Sequence, residues 1–321
     1  MKNERGSALL ITLLILALMA ALAAELTLSF QTQLQRSRRV NASLQAKFAL
    51  LYAEAQAAAG LQSELLTPGK GSDGSTELSE DTTVFWRAED QQHCFNLNAL
   101  LNAPTEPLAT APYVIQVFSA LLEKNNVEGA QAEEIIQSLA DYIDDDSTKR
   151  VHGAEDEYYQ RSEDKGLAAN QLLLSASEVR QVHGMTETIF QNLSPFICAQ
   201  FSNVISININ SLTEQDAPLL SALFLNEISD NDAKTLLRKR PTDGWATVDA
   251  FLYQAQQDYS ATKELVDSLK KMLAVSSQYY RISATVHQGD LSIGMNSWLF
   301  YNEKNKTLRT YLRQLTAGEE E

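Results

Sequence analysis

An acidic segment at residues 141–159 holds the side chains best suited to binding a cation. Its sequence, DYIDDDSTKRVHGAEDEYY, contains seven carboxylates. Carboxylates this close together repel one another unless a cation or solvent screens them. Calcium takes about six to eight oxygen ligands from carboxylates, carbonyls and water. The segment therefore predicts a calcium-binding loop, and a solvated acidic loop is the alternative.

The spacing of these carboxylates follows an EF-hand loop only in part. With Asp144 at position one, Asp146 takes position three and Glu155 position twelve. Lys149 stands at position six, where an EF-hand needs glycine, so we expect a different loop that bends at Gly153. The predicted ligands are Asp144, Asp146, Glu155 and Asp156. The loop offers no pair of nucleophile and base, so the expected role of calcium is structural.

Catalytic and nucleic-acid-binding motifs are missing from the sequence. The four histidines are scattered, and no HExxH, GxSxG, P-loop or dinucleotide-binding glycine pattern occurs. The formal net charge of -15 repels phosphate backbones. We therefore predict a protein that is not an enzyme and does not bind nucleic acid.

The first element of the chain is predicted to be a membrane anchor. A short charged stretch precedes an apolar run from Ser7 to Ala24. As a helix this run rises about 27 Å, close to the thickness of the hydrocarbon core. Lys2 and Arg5 favour a cytoplasmic start. A secretory signal peptide, cleaved at the small residues 21–23, is the alternative.

The residues after this run favour the anchor. From Glu25 to Ala59 there is no proline or glycine, and apolar residues recur at helical steps, so one helix from Ser7 to Ala59 is predicted, ending at Gly60. Half of it would cross the membrane and half would pack on a domain outside. The apolar stripe of this second half consists of Leu34, Leu44, Phe48, Leu51, Tyr52 and Ala55.

The rest of the chain mixes short strands with helices. Residues 69–79 are predicted to form a loop. The predicted strands are 82–87, 204–209, 279–287, 291–301 and 308–315. The predicted helices lie within 113–143, 167–180, 217–225, 230–239 and 247–253. A weak internal repeat relates residues 96–100 to 208–212, and the last three strands predict an antiparallel meander packed on the long helix.

Cys94 and Cys198 are the only cysteines, and they flank the first set of helices. In a periplasmic protein both are exposed to oxidation. Two strands of one sheet would bring them together, so we expect a disulfide at the base of this set of helices. Two buried free thiols are the alternative.

The N-terminus resembles that of type IV prepilins and type II secretion pseudopilins. The resemblance rests on a charged leader that ends in Gly6 and on an apolar helix whose second half is amphipathic. It implies that a prepilin peptidase cuts after Gly6 and methylates Ser7. Pilin-like proteins usually carry Glu at the fifth mature position, which is Ile11 here. One class of minor pseudopilin, general secretion pathway protein K, typically lacks that Glu.

The order of elements and the segments FNLNAL, ININSL and the acidic loop are similar to the K family over nearly the whole chain. The resemblance implies an α+β fold: a pilin-like long helix on an antiparallel sheet, with a large helical insertion and a second helix-hairpin (SAM-like) unit. It also implies structural calcium in the insertion. The expected domains are a leader (1–6), a transmembrane helix (7–24), a pilin-like domain (25–101, 199–212 and 275–315), the insertion (102–198), the second unit (213–274) and an acidic tail (316–321).

The function implied by this resemblance is that of a minor pseudopilin of the type II secretion system. The protein would be a single-pass inner-membrane protein with a periplasmic domain, capping the pseudopilus tip together with I-type and J-type minor pseudopilins and helping to initiate assembly. Ile11 would set the tip position, because an apolar residue cannot neutralise the N-terminus of a subunit ahead of it. A soluble periplasmic calcium-binding or interaction protein with a cleaved signal peptide remains the alternative.

Overall fold

The computed structural model describes residues 4–64, 72–106, 108–161, 166–289 and 291–317. Parts of the predicted leader (residues 1–3), loop (69–71) and acidic tail (318–321) lie outside these ranges.

The longest element is helix α1, Glu4–Glu64. It confirms the predicted continuous helix, but the predicted end at Gly60 is wrong. Leu61 is buried against the sheet, and this packing outweighs the cost of about 1 kcal/mol for a glycine inside a helix.

Nine strands follow α1 among the described residues. They are β1 Ser72–Ser79, β2 Thr82–Asp90, β3 Phe95–Asn96, β4 Ile197–Cys198, β5 Ile207–Asn208, β6 Leu273–Ala274, β7 Tyr279–Gln288, β8 Leu291–Asn302 and β9 Thr307–Ala317. Five of them form one antiparallel sheet in the order β1-β2-β7-β8-β9. The predicted C-terminal meander is therefore confirmed. The other four form two short parallel pairs, β3 with β4 and β5 with β6.

The prediction of a loop at 69–79 is wrong where the structure describes it, because residues 72–79 form the edge strand β1. Backbone pairing with β2 overrides the poor strand propensity of the Gly/Ser-rich sequence. Gly74 has a specific part in this pairing. It lies opposite Trp86, and a Cβ added at Gly74 would fall 2.3 Å from Cζ2 of the Trp86 indole. The ring occupies the space that a side chain would need.

Helix α1 packs on the sheet through small side chains. The buried residues of this face are Ala46, Ala49, Leu50, Ala53, Ala57 and Leu61. Alanines let the helix approach the strands closely, and the face meets Val84, Ala284 and Val286 of the sheet. The apolar stripe predicted for this contact is covered only in part. Leu51 packs against the cluster between the helix and the sheet, whereas Leu44 is 51 % and Phe48 64 % exposed.

The remaining helices form one helical body with its own core. They are α2 Tyr113–Glu123, α3 Gly129–Ile143, α4 Asp156–Arg161, α5 Glu187–Leu193, α6 Ala217–Leu223, α7 Asp230–Arg238, α8 Val248–Asp258 and α9 Val266–Lys270, with 3-10 turns at Leu97–Asn102, Ala176–Gln181, Glu214–Asp216 and Ser260–Leu265. Phe95, Leu97, Ile207 and Ile209 are buried in this core. Residues 95–101 and 205–209 thus pack with the helices, unlike the predicted assignment of 25–101 and 199–212 to the pilin-like domain.

The helical body lies at the end of the sheet farthest from the apolar end of α1. Gln288, which pairs with Thr82 at one end of the sheet, donates a hydrogen bond to Gln45 of α1 over 3.0 Å. At the other end, Leu61 of α1 contacts the cluster around Ala88 and Tyr280. The chain leaves β2 at Asp90 and enters the helical body there. The long helix therefore has its apolar half at one end and this bulky body at the other.

Two asparagines of the internal repeat perform the same task in the two halves of the helical body. The Asn98 amide donates to the Leu173 carbonyl and accepts from the Leu173 N–H. The Asn210 amide makes the same pair of bonds to Trp245. Each asparagine side chain thus forms the hydrogen bonds that a neighbouring strand would otherwise give to the loop. A buried loop needs such partners for its backbone N–H and C=O groups.

The same side chains explain two wrong predictions. A helix at 167–180 is absent except for the 3-10 turn Ala176–Gln181, because Asn98 takes up the backbone groups of Leu173. The strand at 204–209 is reduced to β5, because Asn96 donates to the Val204 carbonyl and Gln92 to the Ser206 carbonyl. These side-chain bonds compete with regular secondary structure.

Candidate metal centre

Three carboxylates converge where the acidic loop closes on itself. Helix α3 ends at Ile143 and α4 begins at Asp156, so the loop between them returns to its starting point. Asp144, Asp146 and Glu155 each place one carboxylate oxygen within 4.8 Å of the other two. Three of the four predicted ligands are therefore together.

Asp156, the fourth predicted ligand, is not part of this cluster. Its Oδ1 accepts a hydrogen bond from the Ala168 N–H over 2.9 Å. Asp156 opens α4, and a carboxylate in the first turn of a helix is favoured there by the helix dipole. Its role in the structure is to hold the chain around residue 168.

A buried arginine organises the loop, and sequence reasoning missed it. Arg150 Nη1 lies 2.6 Å from Asp141 Oδ1 and 2.6 Å from Asp144 Oδ2, and Nη2 donates to the Ala103 carbonyl over 2.8 Å. The loop is thereby fixed to the first turn of the helical body. A single arginine within a run of acids was the available signal, because a buried carboxylate needs a cationic partner.

Gly153 is required by close packing in the same loop. A Cβ at this position would lie 1.8 Å from Asp141 Oδ2. Any larger residue would push the Asp141 carboxylate away from Arg150. The bend predicted at Gly153 is thus explained by close approach to a side chain.

The buried carboxylates of this cluster lack enough positive charge and hydrogen-bond donors around them. Asp144 Oδ1 and Glu155 Oε1 are buried and have no hydrogen-bond partner among the described residues. Burial, together with the charges of Asp141, Asp144 and Asp146, raises the pKa of Glu155 to about 7. Burial also raises the pKa of Asp144, although Arg150 opposes this. Calcium prefers carboxylate oxygens as ligands, and two oxygens of this cluster have no hydrogen-bond partner among the described residues, so these residues fit the ion.

The two cysteines form a disulfide at the base of the first half of the helical body. Cys94 and Cys198 are joined, with Cα atoms 5.8 Å apart. Cys94 precedes β3 and Cys198 ends β4, and these two strands pair in parallel. The bridge closes the insertion where its two ends meet.

The N-terminal part of α1 has the character of a membrane span. Among the described residues, one helix is long and apolar enough to cross a membrane, and none of its most apolar stretch is buried. The hydroxyls of Thr12 and Thr27 donate to carbonyls of the helix itself, so they need no water. The helix continues without a break through residues 21–23, the alternative signal-peptide site. Gly6, Ser7 and Ile11 all lie within this helix.

Comparison with known proteins identifies the family. Two family models described as type II secretion system (T2SS), protein K match residues 93–201 and 207–276. A relative from Escherichia coli (strain K12) that bears a type II secretion system protein K name is 46% identical over 98% of this chain and 99% of its own length. The chain belongs to the type II secretion system protein K family. The type II secretion system protein K of Klebsiella pneumoniae is 34% identical over 92% of each chain.

A solved structure supports the same assignment. This chain resembles a chain in the crystal structure of the GspK-GspI-GspJ complex from the enterotoxigenic Escherichia coli type 2 secretion system. The TM-score is 0.77 at 29% sequence identity, covering 88% of this chain and 100% of that chain. The predicted α+β pilin-like fold is confirmed, and the chain is a minor pseudopilin of the type II secretion system.

Proposed function

We propose that this protein K-family pseudopilin caps the tip of the periplasmic pseudopilus and helps to initiate its assembly for protein export across the outer membrane. Residues 7–24 would anchor it in the inner membrane, after a prepilin peptidase cuts behind Gly6 and methylates Ser7. The observation that carries the proposal is the position of the helical body, residues 93–276, at the membrane-distal end of the sheet. A body of this size obstructs the stacking of another subunit above it.

The apolar residue at position 11 supports the same location. A Glu at this place in other pilin-like proteins would neutralise the N-terminus of a neighbouring subunit. Ile11 offers no charge, so this subunit needs no neighbour ahead of it. A subunit without that requirement fits the end of a filament.

The expected partners are the I-type and J-type minor pseudopilins. The related GspK chain was solved in a complex with GspI and GspJ. In this chain Leu44 and Phe48, on neighbouring turns of α1, are both exposed. Exposed apolar stripes on helices are suited to packing against other long helices. We propose that this stripe receives the helices of the two partners.

Ile11→Glu in the full chain tests the tip assignment. At the tip, the new carboxylate would have no N-terminus to pair with and would stand unpaired in the membrane. We expect export of secreted proteins to fall by roughly tenfold or more, given the cost of a lone charge within a span. The controls are Ile11→Leu, which should be neutral, and Ile11→Gln, which adds polarity without charge. Export at the wild-type level in Ile11→Glu would indicate an internal position in the filament and contradict the proposal.

We also propose that Asp144, Asp146 and Glu155 bind calcium and that the ion stabilises the acidic loop. Calcium at about 100 times its dissociation constant is expected to stabilise the folded protein by about 2.7 kcal/mol. Glu155→Gln should abolish this gain, and it should stabilise the calcium-free protein because it removes a buried unpaired charge. Thermal unfolding of the detergent-solubilised full chain measures both effects.

Asp156→Asn is the matched control for the calcium site, because this carboxylate lies outside the cluster and binds the Ala168 N–H. It should keep the full response to calcium. Calorimetric titration gives an independent reading. The absence of any heat at millimolar calcium would refute the metal site, as would an Asp156→Asn variant that loses binding while Glu155→Gln retains it.

A further inference from the structure

A cleft lies between the sheet and the second half of the helical body, residues 207–276. It has a volume of 780 Å³. One wall belongs to the sheet and includes residues 87–90 of β2 and Tyr280 of β7. The other wall comes from the turns before α6 and after α7, with Asp216 and Arg240 among its residues. The charges that line this cleft therefore influence how closely the two parts approach each other.

Acidic side chains outnumber arginines along this cleft. Arg87 is already paired with Asp73 on the same wall. Arg240 donates hydrogen bonds to the carbonyls of Asn210 and Leu212. The carboxylates that line the cleft are those of Asp73, Glu89, Asp90, Asp216 and Glu303. Carboxylates that face one another repel unless a cation lies among them, so the two walls need a further positive charge to stay close.

His93 lies in the cleft at the point where this charge is needed. It belongs to the link between β2 and β3, three residues beyond Asp90. Its Nδ1 is 3.7 Å from Asp216 Oδ1, which is an ion-pair distance. Asp216 is buried, and its other carboxylate oxygen accepts hydrogen bonds from the N–H and the hydroxyl of Thr213. The carboxylate that faces His93 is therefore held in place by the turn that precedes α6.

The surroundings of His93 favour its charged form. The Asp216 carboxylate, and more weakly Asp90 and Glu89, raise the pKa of His93 above 6.5, although burial opposes this. These three acids come from both walls of the cleft, so the proton places one positive charge among them. A pKa raised on folding means that this contribution is present below the unfolded value of about 6.5. It is lost as the pH rises through the folded-state pKa.

Other contacts between the two walls do not involve His93. The Asp90 carboxylate accepts hydrogen bonds from Asn208, Ser211 and Ser277. Two residues further on, the Gln92 amide donates to the Ser206 carbonyl over 2.7 Å. These bonds keep the sheet connected to the helical body whether or not His93 carries a proton. The walls can therefore separate near Asp216 while they remain joined at Asp90.

We propose that His93 is a pH-sensitive clamp between the sheet and the second half of the helical body. With its proton, His93 holds the carboxylates of Asp216, Asp90 and Glu89 together and keeps the cleft closed. Without the proton these carboxylates repel one another, and the cleft widens about the contacts of Asp90. The orientation of the helical body on the sheet thereby depends on the acidity of the surrounding medium. The clamp is a property of this chain alone and is independent of the tip assignment.

Pulsed electron paramagnetic resonance of the full chain in detergent measures the width of the cleft. Spin labels are attached to cysteines introduced at Gln215, on the helical-body wall, and at Asn305, in the turn between β8 and β9. Both positions are exposed. The measurements are made at about pH 5.5 and about pH 8.5, on either side of the range in which histidine titrates. We expect the population at longer label distances to rise about fivefold at the higher pH, the scale of a partly exposed ion pair.

Two substitutions of His93 give opposite expectations in this experiment. His93→Gln has no charge at any pH, so it should show the widened cleft at both pH values. His93→Arg carries a permanent charge, so it should keep the cleft closed at both. The matched control is His152→Gln, because His152 also lies 3.7 Å from a carboxylate, that of Glu133, but within the first half of the helical body. It should keep the wild-type response to pH.

The wild-type protein alone can overturn the proposal, even if a variant does not fold. Identical label distances at the two pH values would show that no clamp titrates. A response to pH that persists in His93→Gln, or that is lost in His152→Gln, would assign the change to another group. A His93→Arg variant with a wide cleft at both pH values would show that positive charge at this position does not close it.

Discussion

Loss of the Cys94–Cys198 disulfide is expected to destabilise the first half of the helical body by roughly 4–5 kcal/mol. The bridge spans a sequence separation of 104 residues. In the chain-entropy model, a loop of about 100 residues corresponds to about 4.7 kcal/mol. The bridge also joins the two ends of residues 93–201. The short pairing of β3 with β4, two residues long, is the other contact that holds these ends together. The double variant Cys94→Ser/Cys198→Ser should show this loss.

Thermal unfolding followed by far-ultraviolet circular dichroism measures the effect, since helices α2 to α5 lie within residues 93–201. A loss of this size should lower the first melting transition by roughly 20 °C. A reducing agent should produce the same shift in the wild-type protein and no further shift in the double variant, which controls for other effects of the reductant. Melting curves that coincide for the oxidised and reduced wild-type protein would rule out a stabilising bridge.

Glu54→Gln is expected to lower the free energy of unfolding of the pilin-like domain by roughly 2–4 kcal/mol. Glu54 is buried between α1 and the sheet, where Arg313 binds both of its carboxylate oxygens over 2.7 and 2.8 Å. The hydroxyls of Ser297 and Thr310 donate to the same carboxylate over 2.6 and 2.8 Å. The amide variant keeps the shape but removes the charge, and it leaves Arg313 without its counter-ion.

Chemical denaturation followed by tryptophan fluorescence reports this loss, because Trp86 packs beside the contact of α1 with the sheet. The matched control is Glu157→Gln, which breaks the exposed ion pair with Arg161. An exposed pair contributes at most about 1 kcal/mol. Equal effects of the two substitutions would show that the Glu54 contacts do not fix α1 on the sheet.

The same carboxylate predicts a dependence on pH. Burial by itself would raise the pKa of Glu54, but the hydrogen bonds from Arg313, Ser297 and Thr310 outweigh it and hold the pKa below its ordinary value of 4.5. A lowered pKa in the folded state means that this contribution to stability is present above about pH 4.5 and is lost as the pH falls through the folded-state pKa. The difference between wild type and Glu54→Gln should therefore shrink in acid.

The periodic parts of the fold follow directly from the sequence. The long helix and the three-strand meander were predictable because their patterns extend over eight or more residues. The edge strand β1 was not, because its Gly/Ser-rich sequence is held by pairing with β2 and by the ring of Trp86 over Gly74. The helix face that packs on the sheet was predicted only in part. Leu51 of the predicted stripe packs at this contact, but Phe48 is exposed, and the alanines at positions 46, 49 and 53 are the buried residues there together with Leu50.

The candidate site shows the same division. The acid-rich composition pointed to the loop, and three of the four predicted ligands converge there. The sequence did not reveal that Asp156 would bind the Ala168 N–H, nor that Arg150 would neutralise the buried Asp141 and Asp144. Both depend on where the loop folds back on the helical body, and that contact is tertiary.

The location of this protein on isolated pseudopili tests the central claim most directly. An epitope tag in the full-length chain, detected with gold-labelled antibody in the electron microscope, would record where along a filament the subunit sits. The tip proposal predicts label at one end only, with no filament labelled at both ends. Gold distributed along the length of the filaments would contradict it.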